Sequence, residues 1–235
     1  MATEYKIPEE ANEKRLSTLG KEVEMKTFKT NLTPGGEARD RDEFVKIICV
    51  GDMIGQKRKG IFIEDYCQMS RSYWRPTVGV DFHFKTIRRQ TSEAYEPMLI
   101  KLQFWEMAEQ ERLSDMPTVY YKGSHGAIVF WGTRFPSSLE EAIELRQDIR
   151  EYLPTIPCVL VTANTVWPEP LEWIGPEKIF ENEAALDQFC EDHGFVDHFE
   201  VKSRDWKSGE KSVFGQAVNC LVDEIFQNGQ KEATV

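Results

Sequence analysis

Five cysteines, Cys49, Cys67, Cys158, Cys190 and Cys220, are scattered through 235 residues with no C-x-x-C pair among them. That spacing argues against zinc and dithiol redox chemistry, and an odd number of separated thiols fits reduced side chains in a cytoplasmic protein. Basic charge is also scarce: 29 Lys and Arg stand against 40 Asp and Glu, a net charge of −11. This balance argues against a nucleic-acid partner, because neutralising phosphates needs a basic face. No apolar run approaches the ~20 residues of a membrane span. Ala2 stands where N-myristoylation needs glycine, and the end NGQKEATV has no cysteine to prenylate. No direct lipid anchor is expected, and any membrane contact is expected to run through a partner.

Candidate enzymatic motifs are equally sparse. There is no G-x-S-x-G element, and His83, His125, His193 and His198 show no metal-ligand spacing with the cysteines. His83 lies in a strand-like segment and is expected at the surface or in packing. The acidic residues near 140–151 suit the solvated face of a helix. Asn31-Leu-Thr33 has the glycosylation spacing by chance, since no signal peptide precedes it.

What is present divides near residue 44. Residues 1–43 are polar and charged, with TPGG and ARDRDE toward their end, and read as a flexible arm. Residues 44–228 read as one domain and 229–235 as a short tail. Three β-branched apolar runs, FVKIICV (44–50), GAIVFWG (126–132) and PCVLVTAN (157–164), alternate with helix-like stretches. In SSLEEAIELRQDIREYL (137–153), Leu139, Ile143, Leu145 and Ile149 fall near helical spacing, and EAALDQFCEDHG stops at Gly194. SVFGQAVNCLVDEIF (212–226) repeats apolar residues every three or four positions. This alternation predicts an α/β fold with a mainly parallel sheet and helices on both faces. DFHFKTIRR and PMLIKLQFW are expected to form an antiparallel hairpin at its edge.

The stretch GDMIGQKRKG (51–60) follows directly on the first apolar run, the setting of a phosphate-binding loop G-x-x-x-x-G-K-[ST]. Gly51 and Lys57 match that pattern. Gln56 replaces the second glycine, adding a side chain where the backbone must approach phosphate. Arg58 replaces the hydroxyl that binds Mg²⁺ and would repel a cation.

VGVDF (78–82), KLQFWE (101–106), AEQERL (108–113) and VYYKGS (119–124) occur in the order and spacing of the Rab branch of Ras-like small GTPases. The chain resembles that family over about residues 44–228, nearest its lysosome-related-organelle subgroup. The resemblance implies a P-loop fold with one antiparallel edge strand. It also implies GTP or GDP with Mg²⁺ as ligands in an ordinary member. By the same resemblance Gly51, Lys57, Thr77 and Asn164 are nucleotide-binding positions, and Gln110 is the water-orienting catalytic position.

Several positions depart from the family pattern. Glu106 replaces the aspartate near the metal, and Glu109 replaces the glycine whose N–H meets the γ-phosphate. The base-reading N-K-x-D is Asn164-Thr-Val-Trp167, so the aspartate that reads guanine is missing. The final loop reads Lys202-Ser-Arg204. Thr77 and Gln110 are then relics, and no resident cofactor is expected. Lys57 and Arg58 are expected to pair with Glu106 and Glu109; the rival is Arg58 standing in for the metal. The resemblance also places Phe82, Trp105 and Tyr120 as an aromatic trio for effector or regulator proteins. The expectation is a pseudo-GTPase interaction module in vesicle or lysosome-related organelle traffic. The alternative is a slow or atypical GTPase.

Overall fold

The computed structural model describes residues 43–51, 59–69, 77–89, 98–108, 117–132, 137–164, 180, 182–202 and 211–232. The arm expected over 1–43 lies outside them except for Glu43, which opens the first strand. In chain order the elements are β1 (Glu43–Val50), α1 (Lys59–Tyr66), β2 (Val80–Arg89), β3 (Met98–Met107) and α2 (Pro117–Tyr121). They continue with β4 (Gly126–Trp131), α3 (Ser137–Tyr152), β5 (Cys158–Asn164), α4 (Glu183–His193), β6 (His198–Lys202) and α5 (Val213–Glu232). The strands form one sheet in the order β2-β3-β1-β4-β5-β6. Every pairing is parallel except β2 with β3. The expected parallel sheet with an antiparallel edge is what the chain forms.

β1, β4 and β5 are buried on both faces, which is why they read as unbroken apolar runs. One face carries Val45, Ile47, Cys49, Leu102 and Phe104, and packs on Phe62, Ile63 and Tyr66 of α1 and Phe214, Val218 and Leu221 of α5. The other carries Ile48, Trp105, Val129 and Trp131, and packs on Ala142, Leu145 and Ile149 of α3 and Cys190 of α4. Apolar positions three and four apart put one stripe of each helix on the sheet. α4 is capped at both ends: the Asn182 side chain accepts from the Ala185 N–H at 2.9 Å. Gly194, at φ 74°, donates its N–H to the carbonyls of Cys190 and Glu191.

Three features differ from the sequence expectation. α2 and β6 were not foreseen, being only five residues each. α5 continues to Glu232, into the segment expected as a tail, because its apolar stripe stays on the sheet as far as Ile225 and the last turns extend it. No helix of the described residues is long and apolar enough to cross a membrane.

Candidate functional site

The site lies at the ends of β1 and β3, where the chain turns into α1. Gly51 closes β1 at φ 107°, and a β-carbon there would fall 2.0 Å from the Phe130 carbonyl oxygen. Its glycine is therefore demanded by the close passage of β4, whether or not a phosphate is nearby. Lys59 in the first turn of α1 donates from Nζ to the Gly51 carbonyl at 3.1 Å. Gln56, Lys57 and Arg58 lie outside the described residues, as do Glu109, Gln110, Trp167, Ser203 and Arg204. The side chains of Asn164 and Lys202 are not described either; their backbones are paired in register at the ends of β5 and β6.

Glu106 is buried at 6% exposure. Its Oε2 lies 2.9 Å from Nε2 of His83, which has no exposure at all. The Thr77 hydroxyl is shared between Glu106 Oε1 at 3.3 Å and Asp81 Oδ2 at 3.1 Å. On the remaining side Glu106 meets the backbone of Gly60, where a β-carbon would come within 2.7 Å of Oε2. Burial, and then the Glu106 charge, push the Cys49 thiol well above its usual range. Of the two places expected for His83, surface or packing, the structure shows the second, and adds a hydrogen-bonding partner in Glu106. His83 and Glu106 reach each other because β2 and β3 pair antiparallel, with His83 opposite Phe104 and Asp81 opposite Glu106. Nothing in the local sequence announces that diagonal.

The opposite face holds the aromatic trio. Phe82 sits across from Trp105 in register, and their rings meet edge to face at 4.7 Å. Of the trio expected to meet effector or regulator proteins, Trp105 is only 8% exposed and forms the floor under Phe82. The indole is covered on one side by Lys46, whose Nζ stands 3.7 Å from the ring centroid. The same ammonium donates to the carbonyls of Tyr120 at 2.6 Å and Lys122 at 2.8 Å. Burial lowers Lys46 to about 8, which leaves it charged at neutral pH. Phe82 and Tyr120 are half-buried. The exposed apolar surface on this face comes instead from Phe84 at 62%, with Phe44 at the start of β1 on the same face; Val78 and Val119 are exposed as well. Lys46, Phe84 and Phe44 were not singled out from sequence. A lone lysine inside an apolar strand was the available signal for the first.

A family profile described as "Ras of Complex, Roc, domain of DAPkinase" matches residues 46–166. The chain is 30% identical over 195 residues to the Ras-related protein Rab-32 of Homo sapiens, covering 81% of this chain and 78% of that protein. It is 27% identical over 202 residues to Rab-32A of Dictyostelium discoideum, covering 83% and 84%. It is 24% identical over 198 residues to Rab-7L1 of Rattus norvegicus, covering 82% and 87%. With the sheet order, the four motifs and these matches together, the chain belongs to the Rab branch of the Ras-like small GTPases.

Proposed function

We propose that this Rab-family chain is a pseudo-GTPase that works as a protein-interaction module in vesicle or lysosome-related organelle traffic, by binding rather than by nucleotide turnover. The observation that carries the reading is the engagement of Glu106 by His83 and Thr77 within the fold. A resident Mg²⁺ needs oxygen ligands at about 2.0–2.1 Å in near-octahedral geometry. Here the acid near the metal position is turned to an imidazole, and the Thr77 hydroxyl is turned to two carboxylates. The sequence adds Arg58 in place of the metal-binding hydroxyl and Trp167 in place of the guanine-reading aspartate. These residues do not fit the metal.

In this reading the retained asset is the aromatic face. Phe82 and Tyr120 over a Trp105 floor, with exposed Phe84 on the same face of β2 as Phe82, suit an apolar partner surface. Effector or regulator proteins of the family are the partner class, and such a partner recruits the chain to a membrane. The test is titration of the purified, nucleotide-stripped protein with GTP and ATP, with and without Mg²⁺. No Mg²⁺-dependent binding is the expected result. Tight Mg²⁺-dependent GTP binding overturns the reading in favour of a slow GTPase.

A further inference from the structure

The contacts that place the segment after α2 converge on one residue of β1. Lys46 gives its backbone N–H to Nδ1 of His125 at 3.0 Å and receives the His125 N–H on its carbonyl at 2.9 Å. Its ammonium takes the carbonyls of Tyr120 and Lys122 and rests on the Trp105 ring. One residue thus makes four hydrogen bonds to positions 120–125, more than seventy residues away in sequence. α2 has five residues, too few to hold a helix by its own propensity. Its last carbonyls lack intrahelical partners by construction, and two of the carbonyls at this end are met by the same cation. Among the described residues its partners are carbonyl dipoles and a π face, a geometry that is directional rather than a simple ion pair.

We propose that Lys46 is the positioning residue of the recognition face: its ammonium fixes Tyr120 and the turn after α2 against Trp105, presenting the aromatic residues in one arrangement without a nucleotide to set it. The inference deepens the proposed function and rests on that reading of the face. It makes the arrangement a property of β1, the centre of the sheet, rather than of a loop that responds to phosphate.

Hydrogen exchange on the full-length protein tests it. In Lys46→Met, amides over 120–125 are expected to exchange about tenfold faster or more, while those of β4 and β5 keep their wild-type rates. Lys46→Arg keeps a cation over the ring and several donors, and is expected to recover most of the protection. Unchanged exchange over 120–125, or an equal acceleration across β4 and β5, overturns the proposal. A measurement on the wild type covers the case in which Lys46→Met does not fold: the Lys46 ammonium protons should be shifted upfield by the indole ring current. An ammonium signal coincident with those of surface lysines overturns the proposal as well. The partner reading is scored separately, by partner recovery with Phe82→Ala against wild type. If Phe82→Ala leaves recovery unchanged while the exchange pattern holds, the surface assignment falls and Lys46 keeps its positioning role.

Discussion

His83 and Glu106 meet in a place closed to water, and each is the other's polar partner there. Breaking a buried pair from one side leaves the other group desolvated and unmatched, whereas replacing both by apolar groups removes the problem altogether. His83→Leu is therefore expected to cost about 3 kcal/mol, read from the urea midpoint. The double variant His83→Leu/Glu106→Leu is expected to regain most of that loss. Equal costs that simply add across the two sites would show that the pair carries no coupling. Gly51 teaches a related lesson. Its presence at the start of a phosphate-loop pattern looks like a sign of nucleotide binding, yet its φ of 107° and the backbone of Phe130 already require it. Gly51→Ala is expected to lower stability strongly even if no nucleotide binds, measured by thermal unfolding in nucleotide-free buffer.

β2 shows how an element can invert its own pattern. Strict alternation in DFHFKTIRR would turn the phenylalanines inward and the histidine outward. In the structure His83 is fully buried and Phe84 is 62% exposed. The reason is that α1 and α5 cover the face on which His83 lies, while among the described residues no helix covers the Phe84 end of the opposite face. A strand's alternation states which residues share a face, and only the helices state which face is dry. Phe84→Ser is expected to leave the unfolding midpoint within about 0.5 kcal/mol of wild type, since nothing buried is lost. The same substitution should reduce recovery of a partner captured by the wild type. A large stability loss with unchanged recovery would return Phe84 to the core. α2 illustrates the other limit, an element too short to be legible in sequence because β1 and α3 hold it: Lys46 from one side and Tyr121 against Tyr152 at 6.0 Å from the other.

At the scale of the whole molecule, buried titratable groups set the pH window of stability. Burial lowers His198 from 6.5 to about 4, and lowers His125 too; the Thr162 hydroxyl lies 2.5 Å from His198 Nε2. Both imidazoles are neutral in the fold, so the unfolded chain binds more protons below about pH 6.5, and stability falls from there toward pH 4. Above pH 9 the sign reverses. Burial raises Cys67, Cys158 and Cys190 to about 12 and Cys220 to about 11, with Cys49 also raised. Unfolded thiols then lose protons that folded thiols keep, which outweighs the gain between pH 8 and 10.5 from the single lowered Lys46. Urea midpoints measured across pH are expected to plateau between about 6.5 and 9 and to fall on both sides. A midpoint that holds steady from pH 6.5 down to 4.5 would show that His198 is not buried neutral.

The sequence alone determined the central strands of the sheet, because β1, β4 and β5 are bounded by turns and buried on both faces, and strands of that kind carry their burial in composition. It determined the family as well, through VGVDF, KLQFWE, AEQERL and VYYKGS, and it placed Arg58 and Trp167 at two positions where the family carries a hydroxyl and an aspartate. The tertiary structure alone decided which distant side chains meet. His83 finds Glu106 only through antiparallel register, and Lys46 finds Tyr120 only across the sheet. Such pairings depend on which strands become neighbours and which face a helix covers, and no local pattern of residues encodes either.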